Sequence, residues 1–176
     1  MDLIILPGNS LSNKQWAESL KSSLKSHFDS IYIQNYHHWG TDEKFLNLEY
    51  ELNTLADFTS NFKDYIIFAK SVGVILALKA ISDKKLKKLK PSKCIFAGMA
   101  FSWAKLQNID LNSLFKNYEV PTLFIQNSND PAIPFHQLTE FLTQTQIKSY
   151  QITKFSGNEH KYDDIEKLSN LISQYS

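Results

Sequence analysis

The chain has 176 residues, of which 43% are hydrophobic and 21% are charged, and its formal net charge is +1. This length and composition predict one globular domain over residues 1–176 and argue against a disordered chain. A charge so close to zero gives no sign of a nucleic-acid partner, and no apolar stretch reaches the length of a membrane span. The one cysteine, Cys94, excludes an internal disulfide and favours a reducing compartment. We therefore expect a cytoplasmic protein without nucleic-acid or membrane partners.

Short apolar runs alternate with segments of helical period along the whole chain. Six runs rich in β-forming residues are predicted strands: residues 3–6, 31–34, 65–69, 94–97, 122–126 and 150–155. Strands that alternate with helices predict βαβ units and a parallel sheet. The fold class is therefore α/β, with about six parallel strands between two helical layers in an α/β/α sandwich.

A lysine-rich stretch, DKKLKKLK, occupies residues 83–90 and follows the helix that is predicted to begin at Ser71. It could form a basic patch for a membrane or a nucleic acid. Cations are also favoured near a helix C-terminus by the helix dipole. Because the rest of the chain shows no basic bias, we favour a solvated helix end.

Polar residues follow the strands at the edge of the sheet where open parallel sheets bind ligands. Ser71 follows the third run, Asp130 the fifth and His160 the sixth. A histidine can remove the proton of a serine hydroxyl, and a carboxylate can hold the imidazole in the required tautomer. The chain order Ser, Asp, His is that of the α/β-hydrolases. These three residues are the catalytic candidates.

Ser71 lies where a buried strand changes directly into an apolar helix. Small residues, Ala69 and Gly73, stand two positions away on each side. A sharp strand-to-helix turn needs small neighbours, because strand and helix approach too closely for large side chains. Such a turn aims the Val72 N–H at a developing oxyanion, and the loop after the first strand offers Asn9 as the second donor.

The chain resembles the compact serine hydrolases typified by retinoblastoma-binding protein nine, a single-domain branch of the α/β-hydrolase superfamily without a large lid. The resemblance covers nearly the whole length. It includes a Pro-Gly-Asn loop with Trp16 nearby, the turn at Ser71, Asp130 after a Val-Pro-Thr-Leu strand, and a Gly-x-x-His turn ending at His160. It implies Ser71 as the nucleophile, Asp130 as the orienting acid and His160 as the base. It also implies the strand order 2-1-3-4-5-6.

The turn, A-K-S-V-G, departs mildly from the usual G-x-S-x-G pattern, because Ala69 stands in place of the first glycine. Lys70 fills the variable position before the serine. Two interpretations of Lys70 stay open: its charge favours an anionic substrate, or its side chain points to solvent. Bulky residues near the strand ends either line an apolar pocket or pack the top of the sheet. The candidate pocket residues are Gly8, Trp39, Lys70, Met99, Phe101, Trp103 and Ile133.

The predicted reaction is hydrolysis of a small ester through an acyl-serine, with amides and thioesters as further substrates that the three catalytic candidates do not distinguish. The reaction needs no metal and no organic cofactor, and the oligomeric state stays open. The alternative is a binding or scaffold protein that keeps the fold with a disused catalytic site.

Overall fold

Six parallel strands form one sheet in the order β2-β1-β3-β4-β5-β6, so the predicted fold class and strand order are confirmed. Each predicted strand is present, and its ends differ from the prediction by at most one residue. The strands are β1 Asp2–Leu6, β2 Ile31–Ile33, β3 Tyr65–Lys70, β4 Lys93–Ala97, β5 Thr122–Asn127 and β6 Tyr150–Phe155.

The computed structural model describes residues 1–82, 89–116, 118–145 and 147–176. Most of the lysine-rich stretch, residues 83–88, lies outside the described residues, and its predicted role as a solvated helix end stays a prediction. No helix within the described ranges is long and apolar enough to cross a membrane. The helices are α1 Ser12–Leu24, α2 Leu48–Thr59, α3 Val72–Ser82, α4 Phe101–Leu106, α5 Leu111–Phe115, α6 Phe135–Gln144 and α7 Ile165–Tyr175, with a short 3-10 helix at His37–Gly40.

Helices cover both faces of the sheet and give it two apolar cores. Successive side chains of a strand point to opposite faces, so Ile66 and Phe68 of β3 pack with α1 and α7. Ile67 and Ala69 pack on the other face, with α2 to α6. Because β3 is buried on both faces, it reads as a continuous apolar run. Full burial of an isoleucine or phenylalanine side chain contributes about 1.5–3 kcal/mol.

The carboxyl ends of the strands meet at one edge of the sheet. In the register of the sheet, Leu6 of β1 lies opposite Ala69 of β3, and Asn127 of β5 lies opposite Phe155 of β6. The chain runs from β1 outward to β2 and then returns across β1 to β3, so the strand order reverses between β1 and β3. Open α/β sheets bind ligands at such a reversal. Ser71, directly after β3, lies beside it.

Candidate active site

Ser71 alone links β3 to α3, and its backbone is held in an unusual conformation. Its φ angle is 57°, in the left-handed region that residues with a Cβ adopt at an energetic cost. The Ser71 N–H donates to Ala97 O at 2.9 Å, and the Ser71 carbonyl accepts from the Val74 N–H at 3.0 Å. Two sides of the turn are thus anchored, one to β4 and one to the first turn of α3.

Gly73 allows the first turn of α3 to lie against the end of β1. A Cβ at this position would lie 2.2 Å from the carbonyl oxygen of Leu6 and 2.6 Å from that of Pro7. Both atoms belong to the backbone, so no side-chain movement relieves the collision. The need for a small residue after the serine, predicted from the sequence, therefore has its cause in the neighbouring strand β1.

The structure brings Ser71, His160 and Asp130 into one chain of hydrogen bonds. His160 Nε2 lies 2.8 Å from Ser71 Oγ, and His160 Nδ1 lies 2.8 Å from both carboxylate oxygens of Asp130. A carboxylate accepts hydrogen bonds, so the proton of a neutral imidazole resides on Nδ1. Nε2 is then free to accept the proton of the serine hydroxyl. The His160 side chain is 26% exposed, whereas the carboxylate of Asp130 is fully buried.

The buried carboxylate of Asp130 accepts hydrogen bonds from three groups. Besides His160, the Ala132 N–H donates to Oδ1 at 2.8 Å and the Tyr162 hydroxyl donates to Oδ2 at 2.7 Å. Burial of an ionised carboxylate is costly unless hydrogen bonds replace the lost water. These donors therefore stabilise the charge that orients the imidazole.

Tyr162 is a positioning residue that sequence reasoning missed. Its hydroxyl accepts from the Asn127 N–H at 2.9 Å while it donates to Asp130, and its carbonyl accepts from Trp16 Nε1 at 2.9 Å. Burial raises the pKa of the Tyr162 hydroxyl well above its ordinary value, and the Asp130 carboxylate raises it further. The hydroxyl is therefore a permanent donor to Asp130.

Gly98, directly after β4, provides the space for the Tyr162 ring. Its φ angle is +61°, and a Cβ there would lie 2.3 Å from Cε2 of Tyr162. Tyr162 itself has a φ of 55°. A tyrosine two residues after a histidine looks in the sequence like any buried aromatic residue. The signal that could have identified it is a glycine at the end of the neighbouring strand.

The loop that carries His160 is fastened to the end of β5. Asn127 Nδ2 donates to the carbonyl of Glu159 at 2.7 Å, and the Asn129 N–H donates to the carbonyl of Gly157 at 2.9 Å. These bonds tie the segment before Asp130 to the segment before His160. The distance between the acid and the base is therefore fixed by backbone as well as by side-chain contacts.

Asn9, in the loop after β1, is held at both its side chain and its backbone. Its side-chain amide donates to Lys44 O and accepts from the Leu46 N–H, both at 2.9 Å. Its carbonyl is 2.8 Å from His38 Nε2 and accepts from Trp39 Nε1, also at 2.8 Å. The orientation of the Asn9 peptide is therefore determined by contacts from two separate segments.

A cleft of about 740 Å³ lies beside Ser71 and His160, between the start of α1 and the segment before α7. Of the candidate pocket residues, Gly8 and Lys70 line it. The cleft lining does not include the other five, Trp39, Met99, Phe101, Trp103 and Ile133. Most of these pack on the core formed with α2 to α6.

Their contacts explain this placement. Met99 and Ile133 are buried in that core. The ring of Phe101 lies 4.7 Å from that of Phe141 in an edge-on contact, and the indole of Trp39 binds the carbonyl of Asn9. The sequence left open whether these bulky residues line a pocket or pack the top of the sheet. Met99, Phe101, Trp103 and Ile133 pack there, and Trp39 supports the Asn9 loop.

Other groups with possible metal or nucleophile chemistry do not form a second site. Within the described residues, no three His, Cys, Asp or Glu side chains are grouped to hold a metal ion. Cys94 is buried in β4, and burial raises the pKa of its thiol to about 12. A thiol with this pKa remains protonated and unreactive near neutral pH.

Comparison with known proteins identifies the fold. No family model and no curated protein matches the sequence. Est1E from Butyrivibrio proteoclasticus, solved with ferulic acid, aligns over 99% of this chain and 87% of its own, with 16% identity and a TM-score of 0.76. An alpha-beta serine hydrolase homologue from Coxiella burnetii aligns over 99% and 84%, with 18% identity and a TM-score of 0.74. The esterase Pf2001 of Pyrococcus furiosus aligns over 99% and 81%, with 11% identity and a TM-score of 0.74.

The chain therefore has the α/β-hydrolase fold, as the resemblance in its sequence implied. At these identities the likeness concerns the fold. The finer resemblance, to the branch typified by retinoblastoma-binding protein nine, stays a prediction.

Proposed function

We propose that the protein is a serine hydrolase that cleaves small carboxylic esters through an acyl-serine intermediate. The observation that carries the proposal is the unbroken chain of hydrogen bonds from Asp130 through His160 to the hydroxyl of Ser71. Ser71 stands on a strained turn at the wall of an open cleft, where a substrate can reach it. Neighbours in fold that are named esterases and serine hydrolases agree with this activity.

In the first step, Ser71 Oγ attacks the ester carbonyl carbon while its proton passes to His160 Nε2. The carbonyl electron pair moves onto the oxygen, and the N–H groups of Val72 and Asn9 receive the resulting oxyanion. Neither N–H donates a hydrogen bond elsewhere in the described part of the chain. The contacts of the Asn9 side chain and carbonyl hold this residue in place and so support its part, because an oxyanion donor acts best when it is already oriented.

The tetrahedral intermediate then expels the alcohol, which takes the proton from His160 Nε2. Water attacks the acyl-serine by the same route, with His160 again as the base, and the acid product leaves Ser71 free. Asp130 stays ionised throughout and stabilises the imidazolium that forms twice in each cycle. Burial of Asp130 strengthens this electrostatic contact, because water does not screen it.

Esters are the preferred substrate class because their alcohols leave more readily than amines. The cleft is open and of moderate size, which suits small substrates. Amides and thioesters are the competing substrates, and parallel turnover of matched ester, amide and thioester compounds separates them.

Labelling with a fluorophosphonate probe tests the proposal, because the probe reacts only with an activated and accessible serine. We expect wild-type protein to be labelled at Ser71, identified by mass spectrometry of the modified peptide. The Ser71→Ala variant, shown to be folded by circular dichroism, should not be labelled. Absence of labelling in folded wild-type protein would contradict the proposal and favour a binding protein with the same fold.

A further inference from the structure

Lys70, the residue directly before Ser71, lies buried against the wall of the cleft. It ends β3 on the face that α1 and α7 cover, and only 5% of its surface is exposed. Its Nζ donates to Asn13 Oδ1 at 2.9 Å and lies 4.3 Å from the centre of the Trp16 ring. Lys70, Asn13 and Trp16 all line the cleft together with Ser71. The sequence left open whether the Lys70 side chain points to solvent or favours an anionic substrate. Its burial rules out the first interpretation.

Within the described residues, no carboxylate lies at ion-pair distance from the Lys70 ammonium. An ammonium carries three donors, and the structure gives it one oxygen acceptor and one aromatic face. Buried charges in proteins are normally paired, because desolvation is otherwise not compensated. Donors on the wall of a cleft therefore remain for an anion that enters it.

The charge of Lys70 persists near neutral pH. Burial lowers the pKa of the ammonium to about 8, and the negative charge of Asp163, which also lines the cleft, opposes this effect. At pH 7 most molecules therefore still carry the positive charge. The free protein therefore carries the free-energy cost of burying the ammonium charge, and an anion that pairs with Lys70 removes that cost.

We propose that Lys70 makes the cleft selective for esters whose acid or alcohol part carries a carboxylate. The inference rests on the proposed esterase function and specifies its substrate class. The carboxylate binds the Lys70 ammonium while the ester carbonyl lies at Ser71. Adjacent positions in the chain and a shared cleft bring the two groups within reach of one small substrate.

The other charges of the cleft favour a monoanion. The other charged side chains that line the cleft are Lys161 and Asp163. Lys161 is exposed and forms an ion pair with Glu159 at 3.2 Å, and exposed pairs of this kind contribute little to binding. A single carboxylate pairs with Lys70, whereas a phosphate dianion brings a second negative charge close to Asp163. The buried ammonium and the acid therefore select for one negative charge.

Matched ester pairs test the inference on each side of the ester bond. On the acid side, para-nitrophenyl hydrogen adipate is compared with para-nitrophenyl hexanoate. On the alcohol side, para-acetoxybenzoate is compared with para-acetoxybenzamide. We expect wild-type protein to prefer the carboxylate in at least one pair, by the ratio of the two kcat/KM values. Lys70→Met keeps an unbranched side chain, shorter by the ammonium group, and should lower that ratio about 10- to 100-fold, the effect of losing a charge-assisted hydrogen bond.

The matched control is Lys161→Met, which removes an exposed positive charge from the same cleft. It should change the ratio less than threefold, because water and salt already screen that charge. In wild-type protein the ratio should also fall as the pH rises through about 8, when Lys70 loses its proton. Titration of the catalytic groups over the same pH range affects both esters of a pair equally, so it leaves the ratio of their kcat/KM values unaltered.

Two results separate failure of this inference from failure of the proposed function. Ser71-dependent turnover of both members of each pair, with a ratio that Lys70→Met leaves unchanged, overturns the carboxylate selectivity and keeps the esterase. If no ester is turned over, binding tests the carboxylate selectivity instead. The dissociation constants of Ser71→Ala protein are then measured for para-acetoxybenzoate and para-acetoxybenzamide. Tighter binding of the carboxylate that is lost on adding Lys70→Met supports the inference, and equal binding overturns it.

Discussion

The two sides of the cleft differ in how their polar groups are partnered. On the side of β5 and β6, the Asp130 carboxylate accepts three donors, and the His160 loop is tied to β5. On the side of β3 and α1, the buried Lys70 ammonium has one oxygen acceptor, and no carboxylate of the described chain lies at ion-pair distance from it. A fully satisfied network holds a fixed geometry, whereas a partly satisfied cation leaves capacity for a ligand. We propose that the first side orients the catalytic base and that the second side selects the substrate.

Ser71→Ala should have the largest effect, because it removes the nucleophile that His160, on the side of β5 and β6, activates. We expect kcat for a neutral ester such as para-nitrophenyl butyrate to fall about 10⁶-fold, as in serine enzymes whose catalytic residues act as a unit. The free energy of unfolding should change by less than about 1 kcal/mol, because alanine keeps the same backbone and loses one hydrogen bond. Turnover that survives the substitution would place the nucleophile elsewhere.

Asp130→Asn should be the next most damaging change. The amide keeps the shape of the side chain, but it can donate to His160 Nδ1 and so stabilise the wrong imidazole tautomer. The equivalent change in the best-studied triad lowers kcat by about 10⁴-fold, and we expect a similar loss for the neutral ester. Asp163→Asn is a suitable control, since that acid also lines the cleft, whereas the ring of His160 forms its hydrogen bonds with Asp130 and Ser71. A loss below tenfold for Asp130→Asn would assign the orienting role to another group.

The sequence predicted the fold well because the central strands are buried on both faces. β3 and β5 appear as nearly uninterrupted apolar runs, and their ends lie within one residue of the prediction. The strand ends in turn identified Ser71, Asp130 and His160 as residues of one edge of the sheet. Chain order and the rule that parallel strands present their carboxyl ends together were sufficient for this step.

The contacts that depend on side-chain direction could not be predicted in the same way. Met99 and Ile133 follow strands at the correct edge, yet they turn into the core rather than toward Ser71. Tyr162 reaches Asp130 because Gly98, distant in sequence, leaves room for its ring. Which face a loop residue presents is decided by such tertiary contacts, which periodicity and spacing do not encode.

Lys70→Met should stabilise the protein while it removes the carboxylate selectivity. The pKa of Lys70 is about 8 in the folded state and 10.5 in an unperturbed lysine. Between these values the unfolded chain binds more protons than the folded one, so wild-type stability rises with pH in this window. Below about pH 8 the full cost of burying the charge is present. The pKa difference corresponds to about 3 kcal/mol. Loss of the hydrogen bond to Asn13 offsets about 1 kcal/mol of this, so removal of the ammonium should raise the free energy of unfolding at pH 7 by about 2 kcal/mol.

Urea denaturation at several pH values measures this effect. The difference between variant and wild type should be largest below pH 8 and should shrink as the pH approaches 10.5. Lys161→Met, at an exposed position, provides the baseline for loss of a positive charge. A variant that is less stable than wild type at pH 7 would mean that Lys70 mainly holds α1 against β3, and the contrast between the two sides of the cleft would disappear.

Tyr162→Phe should have the smallest effect. It tests whether catalysis needs every hydrogen-bond donor to the Asp130 carboxylate. The change removes a hydrogen bond to a buried carboxylate and leaves the Asn127 N–H without its acceptor. We expect kcat for the neutral ester to fall about tenfold, equivalent to about 1.4 kcal/mol. KM should change less than twofold, because Tyr162 is not among the residues that line the cleft beside Ser71.

This separation of kcat from KM distinguishes positioning of Asp130 from general loss of stability. A loosened fold lowers the active fraction, which titration with a fluorophosphonate counts directly, so kcat is expressed per labelled site. Tyr50→Phe is the matched control, since that tyrosine is exposed and far along the chain from Asp130. If kcat per site is unchanged in Tyr162→Phe, the remaining donors to Asp130 are sufficient to orient His160. The density of hydrogen bonds on that side of the cleft would then serve stability rather than catalysis.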